Sequence, residues 1–169
     1  NEKESSIRVV NIEEITKVIK EMCIEANYYL SEDMKAALYH AKNKEESTLG
    51  IQILNQLEEN LIISSEDMIP ICQDTGMAVI FMEIGQDVHF EGDNLEDAIN
   101  EGIRLGYTEG YLRKSVVSDP IIRENTKDNT PAIIHYSIVS GDKVKITFAP
   151  KGFGSENMSR IFMLKPADG

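Results

Sequence analysis

The chain has 169 residues, sets 29 acids against 17 bases for a net charge of −12, and is 41% hydrophobic. Such a chain can form one domain or one large lobe without disulfide staples. Its charge disfavours nucleic acid and anionic membranes as partners, no apolar run is long enough to span a bilayer, and the start lacks a signal-peptide pattern, so a cytoplasmic location is expected.

The same charge repels a small anionic substrate at long range. Any acid-binding site must therefore be built locally, from placed Arg and Lys side chains or a metal. The two cysteines, Cys23 and Cys72, are not expected to pair in a cytoplasmic chain. Alone they cannot close a zinc or iron–sulfur site.

In chain order, residues 1–10 read as a loosely docked tail. From Asn11, the expected N-cap, Ile12, Ile15, Ile19, Met22, Cys23 and Ala26 recur at helical steps, and Glu13 and Glu14 suit the first turn. Cys23 falls on the apolar stripe and reads as a small core residue. Ser31 opens a second helix, with Met34, Ala37, Leu38 and Ala41 along its apolar edge and His40 at the rim. A third helix runs through Leu49, Ile53, Leu54 and Leu57 and is expected to stop near Asn60, leaving Leu61–Ile63 as a short apolar piece.

Pro70-Ile71-Cys72-Gln73-Asp74-Thr75-Gly76 follows, and the chain is organised around it. It places a thiol, an amide, a carboxylate and a hydroxyl side by side between two residues that constrain or free the backbone. Met77–Met82 is apolar throughout and reads as a strand covered on both faces. Reactive groups just upstream of such a strand hang from a stiff support. Val88–Phe90 reads as a short strand with His89 on it.

Asp93 or Asn94 caps a further helix buried through Leu95, Ala98, Ile99, Ile103 and Leu105, and Gly106 or Gly110 ends it. Arg113 and Lys114 then form the densest positive pair in the chain, and residues 125–129 read as a loop. Ala132–Val139 and Lys143–Ala149 flank Ser140-Gly141-Asp142 and predict a hairpin, with His135 on the face opposite Ile134, Tyr136 and Ile138. In Lys151-Gly152-Phe153-Gly154-Ser155-Glu156-Asn157 two glycines bring backbone N–H groups close to a ligand, Lys151 adds a charge, and Ser155 and Asn157 add hydrogen bonds. The segment matches neither a P-loop nor a dinucleotide fingerprint.

Ile71-Cys72-Gln73-Asp74-Thr75-Gly76, Leu112-Arg113-Lys114-Ser115 and Lys151-Gly152-Phe153-Gly154-Ser155-Glu156-Asn157 stand in the order and rough spacing of the iron–sulfur fumarate hydratases. The chain also resembles the alpha subunit of L-tartrate dehydratase, which shares the pattern. The likeness covers the early helices through Asn157. It implies a class I hydro-lyase that adds water to fumarate or removes it from malate or tartrate. It implies a 4Fe–4S cluster held by three cysteines, with Cys72 as one ligand and the others downstream of Gly169; Cys23 matches no ligand position.

By the same resemblance Gln73, Asp74, Arg113 and Gly154 bind the dicarboxylate, and Asp74 takes part in proton transfer. A beta subunit or C-terminal domain and an oligomeric state are implied as well. Phe153 stands where many relatives carry a third glycine, and Lys114 where some carry Tyr. The chain is thus expected to be the N-terminal lobe of an alpha subunit, cut short and inactive alone.

The expected fold is α+β: a helical layer over residues 1–60, then a mixed sheet with one covering helix and the site loops over residues 61–169. Two rivals remain open from the residues. In one, Cys72 is a nucleophile with Asp74 near it. In the other, the chain is a non-catalytic binding or regulatory module.

Overall fold

A computed structural model describes residues 7–154 and 158–168. Residues 1–6 of the expected tail, and Ser155 and Asn157 of the glycine segment, lie outside the described residues.

The fold is α+β. A short strand β1 (Arg8–Asn11) leads directly into helix α1 (Ile12–Tyr28). The end of the expected tail is therefore tied down: β1 runs parallel to β3 (Val88–Glu91), with Val10 buried opposite Phe90. Asn11 caps α1 through a bond from the Glu13 N–H to its side chain, 2.8 Å long. Ile12, Ile15, Ile19 and Cys23 form the buried stripe that the periodicity predicts.

Helix α2 (Glu32–Lys44) starts after Ser31 as expected but buries no residue. Helix α3 (Thr48–Asp67) does not stop at Asn60. No Gly or Pro interrupts Leu61–Ser65, so the helix continues to Met68, whose left-handed backbone (φ 52°) ends it. Among the described residues of α3 only Ser64 is buried.

Helix α4 (Leu95–Glu109) is capped by Asn94 rather than Asp93, and Gly110 ends it. It packs on α1, so α1 belongs to the core with α4 rather than to a separate layer with α2 and α3. The approach is close because a Cβ on Gly106 would lie 2.6 Å from the Cβ of Cys23. Ion pair Lys20–Glu109 (2.9 Å) and a bond from Thr16 Oγ1 to the Ala98 carbonyl (3.0 Å) fix the register between the two helices.

The main sheet has the order β4-β2-β5, with β2 (Met77–Gly85) central, β4 (Ile133–Val139) parallel to it and β5 (Val144–Lys151) antiparallel. The predicted hairpin therefore does not form: β4 and β5 straddle β2. Gly85 donates to the Lys143 carbonyl and Gln86 to the Val139 carbonyl, both at 2.8 Å, so the Ser140–Lys143 connection arches over the end of β2. It has to span two strand spacings, roughly 9.5 Å, which its residues reach easily.

Across the sheet Ile134, Ile80 and Phe148 align on the face toward α1 and α4, and Ala78, Ile80 and Met82 are fully buried there. The other face corrects the reading of β2 as covered on both sides: Phe81 is 48% exposed and stacks on His135, with ring centroids 4.9 Å apart.

Candidate functional site

The Cys72 loop begins where α1 and α3 end. The Ile71 N–H donates to the Asn27 carbonyl (2.8 Å), and Asn60 Nδ2 donates to the Ile71 carbonyl (3.0 Å). The residue before the cysteine is thus held from both helices. Burial then deepens along the loop: Cys72 and Gln73 are exposed, Asp74 is half-buried, and Thr75 and Gly76 are buried where β2 starts. The exposed Cys72 and Gln73 thus stand on a base fixed in the core.

Thr75 carries the link to the second segment. Its Oγ1 donates to the Arg113 carbonyl (2.9 Å), while its own carbonyl accepts from the Tyr107 hydroxyl (2.8 Å). Tyr107 is fully buried at the end of α4, and burial pushes its phenol well above the usual range, so it stays a donor. The Arg113 backbone consequently sits beside the Cys72 loop. Its side chain is exposed and makes no ion pair among the described residues.

Asp74 carries the link to the third segment. Its Oδ2 accepts from the Phe153 N–H (2.8 Å) and its Oδ1 from the Gly76 N–H (3.1 Å). The carboxylate thus staples the glycine segment to the cysteine loop, and each oxygen retains a lone pair for a ligand. Gly76 has φ +61°, and a Cβ there would stand 2.0 Å from the Lys151 carbonyl oxygen, so only glycine fits. Lys151 turns its Nζ onto the Gly152 carbonyl (2.6 Å). Among the described residues, a Cβ on Gly154 would meet nothing within 4 Å.

Two residues of this assembly were not singled out from the sequence: Tyr107 and Asn129. Asn129 is fully buried and left-handed (φ 64°). Its Nδ2 donates to the Gly76 carbonyl (3.0 Å), and its Oδ1 accepts from the N–H groups of Ser115 (2.7 Å) and Val116 (3.2 Å). The Asp128-Asn129-Thr130-Pro131 run signals a turn, but its partners are distant in sequence. The Ser115 hydroxyl is buried nearby without a partner among the described residues.

An exposed cysteine sulfur is the type of donor that one ligand position of a metal cluster needs. Cys72 offers an exposed sulfur. Cys23 cannot be a second ligand at that place: it is buried between α1 and α4, and burial pushes its thiol up to about 12. Among the described residues no group of three or more His, Cys, Asp or Glu side chains could share a metal. A cleft of about 720 Å³ lies elsewhere, between α1, the start of α2 and Phe148, and none of Cys72, Gln73, Asp74 or Arg113 lines it. His40, His89 and His135 take no part in the site; His135 stacks on the outer face of the sheet.

Residues 16–169 match the family described as fumarate hydratase (Fumerase). The chain belongs to the fumarate hydratase family. It is 40% identical, over 92% of its length, to a protein of Methanocaldococcus jannaschii named for the alpha subunit of L(+)-tartrate dehydratase, and it covers 56% of that relative. It is 30% identical, over 93% of its length, to the anaerobic class I fumarate hydratase of Escherichia coli, and covers 29% of it. To the aerobic class I enzyme of Salmonella typhimurium it is 36% identical over 63% of its length. The chain thus spans about half the length of the first of these relatives and under a third of the second.

Proposed function

We propose that the complete protein is a hydro-lyase that reversibly hydrates fumarate to malate. The observation that supports this is the meeting of three separate segments at one place, where Cys72, Gln73, Arg113 and Gly154 are exposed and Asp74 is half-buried. In this reading Cys72 is one ligand of a 4Fe–4S cluster, and the remaining cysteines come from outside the present sequence. When bound, such a cluster supplies an open iron as a Lewis acid toward a substrate hydroxyl.

The chain's own groups then do the following. Cys72 has no His or Lys beside it in the sequence, which suits a metal ligand better than a nucleophile, because coordination removes the thiol proton outright. Arg113 grips a substrate carboxylate through its planar fork. Gln73 offers an amide to the substrate, and backbone N–H groups around Gly154 meet the dianion. Asp74 accepts a hydrogen bond or a proton at the oxygen lone pairs that Gly76 and Phe153 leave unused.

A second reading, dehydration of tartrate by an alpha subunit that works with a beta subunit, is favoured by the 40% identity to the Methanocaldococcus jannaschii protein. In both readings the chain is the N-terminal lobe of a larger cytoplasmic assembly, an oligomer. The test is to prepare the full-length protein without oxygen, measure iron and visible absorbance, and assay malate and tartrate. Iron, a brown broad absorbance and turnover of one of the two acids are expected. Absence of iron together with absence of turnover would overturn the proposal.

A further inference from the structure

We propose that Asn129 is a positioning residue that sets the distance between the cysteine side and the arginine side of the site. The inference rests on the hydro-lyase reading and adds to it a residue that does not touch substrate.

A dicarboxylate spanning from the Cys72 loop to Arg113 requires those two groups at one fixed separation. They belong to different loops, and neither loop is part of the sheet. Asn129 joins them through a single rigid amide. One end donates to the carbonyl of Gly76, the last residue of the cysteine segment, at 3.0 Å. The other end accepts from Ser115 at 2.7 Å and Val116 at 3.2 Å, immediately beyond the Arg113-Lys114 pair.

The Thr75–Arg113 bond is a second tie. It holds the segment at Arg113 itself, and the Leu112 N–H bond to the Tyr107 carbonyl (3.1 Å) holds its near side; the Asn129 amide ties the far side, at Ser115 and Val116, back to the cysteine loop. The residue type is specific. The position is fully buried and requires an acceptor on one side and a donor on the other, so Asp would turn a repelling oxygen on the Gly76 carbonyl and an apolar residue would orphan three backbone groups. It is also left-handed at φ 64°, which Asn tolerates better than most residues.

The test uses the full-length protein carrying Asn129→Gly, which keeps the backbone conformation and deletes the amide. Asn129→Asp keeps the acceptor end alone and serves as the second variant should the first fail to fold. KM for the dicarboxylate is expected to rise at least about tenfold while kcat changes by less than about threefold, the signature of a lost binding geometry. Hydrogen exchange should accelerate at Ser115 and Val116 while the α1 and α4 amides around Ile19 and Ile103 keep their protection.

A folded variant with wild-type KM, or exchange that accelerates equally in both regions or in neither, overturns the proposal and leaves Asn129 an ordinary structural residue. A wild-type protein that neither binds nor turns over malate or tartrate sinks the hydro-lyase reading instead. The tie between the two loops is then decided by the exchange pattern alone.

Discussion

Arg113 and Asp74 carry opposite charges and are used differently. Arg113 is held by its backbone and leaves its guanidinium exposed, whereas Asp74 already engages both carboxylate oxygens with the N–H groups of Gly76 and Phe153. Replacing Arg113 with Lys keeps the charge and loses the bidentate fork. In the full-length protein Arg113→Lys is expected to raise KM for the dicarboxylate roughly ten- to a hundredfold, for lost charged hydrogen bonds of about 1.5–3 kcal/mol. Steady-state kinetics check this, and a near-normal KM would remove Arg113 from the site.

Cys23 makes a prediction of a different kind at the same scale. Burial raises its thiol from 9.0 to about 12. Between those values the unfolded chain has lost the proton and the folded chain keeps it, so stability falls as pH rises. The stabilisation is fully present below pH 9.0 and is lost on the way to about 12, by about 1.4 kcal/mol per pH unit in that window. Urea unfolding at stepped alkaline pH should show a shallower decline for Cys23→Ala than for the wild type. Equal slopes would place the thiol elsewhere than in the core.

At the scale of elements, the α1–α4 contact is the firmest part of the fold. Ile19, Ile99 and Ile103 are fully buried in it, each contributing about 1.5–3 kcal/mol by leaving water. The contact depends on Gly106, where a side chain would press on Cys23 at 2.6 Å. Gly106→Ala should gain up to about 1 kcal/mol of helix propensity and lose more to overpacking of about 1–3 kcal/mol. A net drop in thermal midpoint is expected, and Cys23→Gly in the same chain should recover part of it. A rise in the midpoint would mean that the helices stand further apart.

The whole molecule is unevenly covered. Helix α2 buries nothing. Leu49 and Ile53 of α3 are 65% and 48% exposed, and Ile161, Phe162, Met163 and Leu164 are each at least 77% exposed. Apolar surface on this scale binds partners or dyes. The 169-residue chain alone is expected to enhance the fluorescence of an apolar-surface dye and to elute larger than its 19.0 kDa, despite a net charge of −12 that opposes association. A monomer that leaves the dye dark would show these side chains packed in solution. No helix among the described residues is long and apolar enough to cross a membrane.

What could be read from the sequence was local. The caps at Asn11 and Asn94, the buried stripe of α1, the alternation of β5 and the chemical character of the Cys72 and Arg113 segments depend on neighbours within a turn or two, and propensity and periodicity report those. One misreading, the end of α3, was local, and another, the pairing of β4 and β5, was set by a distant strand. α3 ran past Asn60 because nothing in its sequence stopped it, and β4 and β5 gave up the hairpin because β2, the most apolar strand, accepts hydrogen bonds on both edges. The site shows the same division. Its chemical groups were visible as types in a row, but which groups meet was decided by the Asp74 and Thr75 bonds and by Asn129, whose partners lie 53 and 14 positions away. Sequence records what each residue can bond to; only the folded chain brings the matching donor within 3 Å and shuts out the water that would otherwise compete for it.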